Sequence, residues 1–163
     1  MPKIIVLAPS AGGKSTLMRY LREHTNLNVR EMDEEVMKEN DDTWPEDNDH
    51  KDRVLVPRIV KNILNEDNIV YLASYVPEDL LKDARAQNFI VILLKVELDE
   101  LLKRNKERMT IEHYADATSW LQLQLDTFTK LQNKGLIDKV IDGNLPTKEI
   151  ATIIADVYHY PAQ

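Results

Sequence analysis

Residues 8–16 read Ala-Pro-Ser-Ala-Gly-Gly-Lys-Ser-Thr, and they constrain the fold more than any other stretch of the chain. They follow a short continuous apolar run, Lys3-Ile-Ile-Val-Leu-Ala8, whose abrupt end at Pro9 predicts a buried β-strand. They precede Lys14 to Glu23, where Leu17, Met18 and Leu21 share one face and predict a helix. The chain has four glycines, and two of them stand side by side at this strand-to-helix junction. Adjacent glycines let the backbone curl so that successive N–H groups point inward. The helix that follows adds its own free N–H groups and the positive end of its dipole. A strand, a curled loop and a helix start, joined in that order, make a cradle for an anion.

The same alternation continues to the end of the chain. Asn28 to Asp33 reads as a weaker, alternating strand, Asn68 to Ser74 as a third, Phe89 to Val96 as a fourth, apolar but for Lys95, and Lys139 to Asp142 as a short fifth. Between them, Val56, Ile59, Val60, Ile63 and Leu64 recur at helical spacing, with Pro57 tolerable only in a first turn. Pro77 to Gln87, a helix capped by Asp99 and running through Arg108, and Trp120 to Asn133 with Leu121, Leu125 and Phe128 on one face supply further helices. A last helix, capped by Thr147, buries Ile150, Ile153, Ile154 and Val157. Asn40 to Asp52, acidic and interrupted by Pro45, reads as a loop. Short apolar strands separated by helices predict an α/β fold: a five-stranded parallel sheet covered on both faces, in three layers.

Bulk properties narrow the class. At 163 residues, 43% apolar and 30% charged, the chain reads as one domain, residues 1–163, with no apolar run long enough to cross a bilayer. It has no cysteine, which excludes thiolate metal sites and cysteine nucleophiles and fits a cytoplasmic protein. The net charge of −7 argues against a surface that tracks nucleic-acid phosphates. His24, His50, His113 and His159 show no metal-ligand spacing.

Residues 8–16 fit the P-loop pattern, with Ala8 where the strict form has glycine. Ala8, Pro9, Ser10, Ala11, Gly12 and Gly13 would form the loop around nucleotide phosphates, with backbone N–H groups from its residues other than Pro9. Lys14 would reach the outer phosphates, the Ser15 hydroxyl would ligate Mg²⁺ and Thr16 would face the inner phosphate. The simpler reading, a glycine turn beside a surface lysine, leaves the flanking strand and helix without a role.

With that loop, the order and length of the whole chain resemble the small P-loop kinases, the adenylate, shikimate and gluconate kinases among them. Two further stretches carry the resemblance. Arg104 and Arg108 are four residues apart, so they share a helix face, and they are similar to the family's pair of arginines where a mobile lid begins after strand four. The resemblance implies that Arg104 lies against the nucleotide, that Arg108 reaches the transferring phosphoryl group, and that a lid spans about residues 104–118. A planar fork of donors suits the charge that builds on phosphoryl oxygens. Asp142-Gly143-Asn144 resembles the family's loop at the adenine edge, although Asp-Gly also makes an ordinary turn.

The acceptor side, about residues 34–66, is less distinctive. Glu31 and Asp33 alternate on the second strand and share a face. Asp33 either takes the proton of an acceptor hydroxyl or holds Mg²⁺ through water, unless Asp33-Glu34-Glu35 is simply a first helical turn. Arg53 and Arg58 would clamp an acidic acceptor, with Arg30 and Arg85 as further options, and each is equally explained as a surface charge. Ser74 is a substrate candidate, and Trp44 either stacks on an acceptor ring or anchors the acidic loop. Strand three ends without the acidic residue of a motor or switch ATPase. The expected function is a kinase moving the γ-phosphoryl group of ATP, with Mg²⁺, to a nucleoside monophosphate or hydroxyl metabolite. A polynucleotide 5′-hydroxyl kinase and a non-catalytic nucleotide-binding module are the alternatives.

Overall fold

A computed structural model describes residues 3–113 and 116–159 of the chain. Five strands, β1 Lys3–Leu7, β2 Val29–Glu31, β3 Ile69–Ala73, β4 Ile90–Lys95 and β5 Lys139–Asp142, form one parallel sheet in the order β2-β3-β1-β4-β5. The first strand is central; the chain passes from it to the β2 edge, returns through β3 beside it, and then crosses to β4 and β5 on the other side. The loop that leaves the carboxyl end of β1 therefore stands at the switch point of the sheet, where open α/β folds bind ligands.

Side chains alternate across the sheet. Ile5 and Leu7 of β1, Tyr71 of β3 and Leu93 of β4 face one core with Val60 and Ile63. Ile4, Val6, Leu72 and Ile92 face the other with Leu17, Leu21 and Ile154. Helices α1 Lys14–His24 and α8 Thr147–His159 cover this second face. Helices α2 Met32–Glu39, α4 Val56–Leu64, α5 Glu78–Ala86 and α7 Thr118–Asn133 contribute to the first. Because both faces are covered, β1, β3 and β4 are continuous apolar runs instead of alternating ones.

Four local readings change. The strand expected over 28–33 is three residues long, and Met32 already begins α2. Asp33 is thus a helical residue; three acidic side chains in the first turn favour the helix over the strand. The segment read as a loop over 40–52 contains a short helix α3, Asn48–His50, and a π-helical turn, Lys51–Leu55, that runs into α4. Val56 N–H bonds Lys51 across the wide turn, which makes room for Pro57 just inside α4. Helix α6, Leu98–Ile111, takes Glu97 as its N-cap and keeps Asp99 in its first turn, while α8 starts at Thr147 itself, its Pro146 carbonyl accepting from Glu149 and Ile150. No described helix is long and apolar enough to cross a membrane.

Candidate functional site

The loop after β1 is shaped by what its residues lack. A Cβ on Gly12 would lie 2.6 Å from the Pro9 carbonyl oxygen, the same oxygen that accepts the Gly12 N–H at 2.9 Å. Only a bare Cα closes this turn. Gly13, at φ +92°, and Ala11, at φ 63°, both adopt left-handed backbone around it. Gly13 then caps α1, its carbonyl accepting from Leu17. Lys14 is buried, and its ammonium donates to the carbonyls of Ala8 at 3.5 Å and Pro9 at 3.3 Å. Burial pulls its pKa down, while the nearby charges of Asp33 and Glu31 hold it up. Ser10 is tied to α7 three ways: its N–H donates to Gln124 Oε1 at 2.8 Å, and its hydroxyl accepts from Gln124 Nε2 at 3.0 Å and Trp120 Nε1 at 3.2 Å.

On one side of the loop lies a cavity of about 450 Å³. Ser10 to Thr16 form its floor, Arg104 and Arg108 of α6 one wall, and Gly143, Leu145 and Thr147 another. Arg104 is fixed by Glu100 Oε1 at 3.1 Å, the Gly143 carbonyl at 3.3 Å and Asn144 Oδ1 at 3.2 Å. Asn144 N–H closes an Asx turn on Asp142. A Cβ on Gly143 would lie 2.4 Å from Val96 Cγ2, so only glycine lets this loop lie on β4. Asp142 and Asn144 shape the loop without being among the described residues that line the cavity.

A second cavity, of about 850 Å³, opens on the other side. Its walls come from α1, the β2–α2 junction, the 44–52 segment, the end of β3 and α7. Trp44 and Ser74 line it. Glu31 does too: it is almost fully buried, Oε2 caps α2 by accepting from Glu34 N–H, and Oε1 has no described partner. Burial first, and then the neighbouring Asp33 charge, push its pKa up to about 7.

Four of the described residues line both cavities: Ser10, Ser15, Asp33 and Arg108. The move of Asp33 from strand to helix leaves it at this junction. The donors present fit a Mg²⁺ ion. Ser15 and Asp33 are one hydroxyl and one carboxylate at the junction, and Mg²⁺ takes few protein ligands beside phosphate oxygens and water.

Other expected residues lie elsewhere. Arg53 pairs with Asp49 and is 79% exposed, Arg58 pairs with Glu39, and neither is among the described residues lining the second cavity. Arg30 is engaged by Glu35 and Glu66, and Arg85 by Asp138. The expected lid is the end of α6 and the start of α7, held together by Asn105, which bonds Asp116, Ala117 and Thr118; residues 114 and 115 lie outside the described set. Sequence reasoning did not single out Trp120, Gln124 or Lys51. The spacing of Trp120 and Gln124, four apart on one helix face, was the available signal.

With this geometry in hand, comparison with known proteins gives three results. The AAA domain family model matches residues 4–119. Curated protein sequences give no match. Among solved structures, shikimate kinase from Acinetobacter baumannii in complex with shikimate is similar at 17% identity, with 96% of this chain and 92% of that one covered and a TM-score of 0.75. Shikimate kinase from Aquifex aeolicus is 19% identical over 94% and 93%, with a TM-score of 0.68. A gluconokinase from Sinorhizobium meliloti is 17% identical over 99% and 98%, with a TM-score of 0.64. The likeness is one of fold: a parallel sheet between helix layers with the phosphate loop after its central strand.

Proposed function

The chain belongs to the AAA domain family, and from that premise we propose that it is a small-molecule kinase, transferring the γ-phosphoryl group of ATP to a hydroxyl-bearing acceptor. One observation carries this reading. Two cavities meet at Ser10, Ser15, Asp33 and Arg108, so a phosphate end held on the glycine loop faces a second, larger chamber. A module that only bound nucleotide would have no use for that chamber. A motor-type ATPase would carry an acidic group at the end of β3, where this chain has Ala73-Ser74.

The residues divide the work. The loop amides, Lys14 and the start of α1 hold the phosphates in line with the acceptor cavity. Asp33 takes the proton of the acceptor hydroxyl as its oxygen bonds to the γ-phosphorus. The bond from that phosphorus to the bridging oxygen breaks, and ADP leaves with the electron pair. Arg108 and Lys14 offset the charge that spreads over the transferring oxygens. Ser15 would hold Mg²⁺, which would supply further charge neutralisation on the phosphates. Arg104 positions the nucleotide against the 143–145 loop.

The test is an ADP-release assay with ATP·Mg²⁺ against nucleosides, nucleoside monophosphates, shikimate, gluconate and a 5′-hydroxyl oligonucleotide. Stimulation by one of them, lost in Asp33→Asn, is the expected result. Stimulation by the oligonucleotide alone would favour a polynucleotide kinase, and tight ATP binding with no stimulated turnover would favour a non-catalytic module.

A further inference from the structure

Resting on the kinase reading above, we infer that the acceptor is an uncharged hydroxyl compound carrying a planar aromatic ring, of the nucleoside class, and not a phosphorylated or carboxylated one. The inference comes from what the 850 Å³ cavity offers a ligand. Cavities of this size take molecules of drug or nucleoside dimensions.

Its charges oppose an anion. Glu31, Asp33, Glu34 and Asp52 line it, against Lys51 and Arg108 among the described residues; with Glu34 paired to Arg22 and Asp52 to Lys51, Glu31 and Asp33 are left facing Arg108. Arg108 stands at the junction with the phosphate loop and is proposed for the transferring group. Lys51 is engaged already, by Asp52 at 3.4 Å and by the Trp44 ring, whose centroid is 5.4 Å away. The arginines that could clamp a carboxylate or phosphate are turned elsewhere: Arg53 to Asp49, Arg58 to Glu39, Arg30 to Glu35. An acidic acceptor would enter a chamber with an excess of negative charge and no uncommitted guanidinium among its described lining.

Its surfaces favour a flat ring. Trp44 is 46% exposed and Trp120 is 40% exposed, both toward a common chamber that Tyr75 and Leu123 also line. Each indole is held by a polar contact, Trp44 beneath the Lys51 ammonium and Trp120 through its N–H to Ser10. Such rings are preorganised stacking platforms, and they lose little freedom when a ring packs on them. Asp33, which also lines the chamber, can accept from a ligand hydroxyl. A nucleoside supplies a ring, donors and a free hydroxyl, and it carries no charge.

The chain's two tryptophans both line this cavity, so intrinsic fluorescence reports its occupancy directly. The experiment titrates adenosine, guanosine, cytidine and uridine, each beside its own 5′-monophosphate, into the full chain with ATP·Mg²⁺. Shikimate and gluconate are included, and phosphorylated product is followed by mass spectrometry. The expected result is quenching by at least one nucleoside, with binding about tenfold or more tighter than its monophosphate, and product from the same nucleoside. In Trp44→Ala the nucleoside KM rises about tenfold or more while the ATP KM moves less than about threefold, a split that a general loss of fold would not produce. Tighter binding of a monophosphate, shikimate or gluconate, or no quenching by any nucleoside, overturns the inference. Phosphorylated shikimate or gluconate would do so while upholding the kinase reading. Nucleoside quenching without product would uphold the inference for the cavity and defeat the kinase reading.

Discussion

The two halves of the site are built from different materials. The side proposed for the nucleotide is shaped largely by backbone: amides of a glycine loop, a helix start, and a second glycine loop at 143 whose bare Cα lies against Val96. A contiguous run, Ser10 to Leu17, builds its floor, and the bare glycines Gly12 and Gly143 set its shape. The acceptor side is made by side chains that the sequence scatters from Ser10 to Thr127, and its character is aromatic and acidic. A backbone site serves one ligand class across many chains, because every chain has the same amides. A side-chain site is where two chains of one fold part company. What is shared with shikimate kinases and a gluconokinase is the fold that carries both halves.

That contrast sets the order of expected effects. Lys14→Ala removes the buried ammonium of the phosphate loop and should cost about 10³-fold or more in turnover, read as ADP release at saturating acceptor. Turnover near that of the parent would remove the loop from the chemistry. Arg108→Ala, at the junction, should lower kcat about 10²-fold and leave ATP affinity within about threefold. An equal loss in both would make Arg108 a binding residue of the nucleotide half.

On the acceptor side, Glu31 gives a smaller effect with a pH signature. Burial raises its pKa from 4.5 to about 7, so the folded chain holds this proton more tightly than the unfolded chain. The cost of its buried charge is absent below about pH 4.5, grows as pH rises toward 7 and is fully felt above it, so stability falls with rising pH through that window. Glu31→Gln keeps an oxygen to cap α2 and loses the charge. Its Tm should exceed the parent's by a few degrees at about pH 8, and the gain should vanish toward about pH 4.5. A gain independent of pH would show that the buried carboxylate is not the cause. The smallest effects belong to Arg53→Ala and Arg58→Ala, each changing acceptor KM less than about twofold, because both side chains are exposed and paired on the surface. A loss of about tenfold in either would bring a guanidinium back to the acceptor.

The same contrast explains what the sequence revealed. The sheet was legible because β1, β3 and β4 are buried on both faces and so read as unbroken apolar runs. The loop at 8–16 was legible because its function needs residue types at fixed spacing between a strand and a helix. The β2–α2 boundary was misplaced because Val29 to Asp33 alternates like a strand while Asp33 to Glu35 also suits a first helical turn, and the dipole preference won. Trp120 and Gln124 were hidden because they read as parts of an amphipathic helix. Their contacts to Ser10, across more than a hundred residues, exist only once β1 and α7 are packed. The paired arginines of α4 and the turn before it were expected at the acceptor, but Asp49 and Glu39 lie within reach on the surface.

The most direct test of the account is transfer of label from [γ-³²P]ATP in the presence of Mg²⁺ and a mixture of nucleosides, sugar acids and shikimate, with products separated and identified. The account predicts radioactivity on an acceptor hydroxyl, present in the parent chain and lost in Lys14→Ala. Label appearing only as inorganic phosphate, or remaining on ATP that the protein binds tightly, would contradict it.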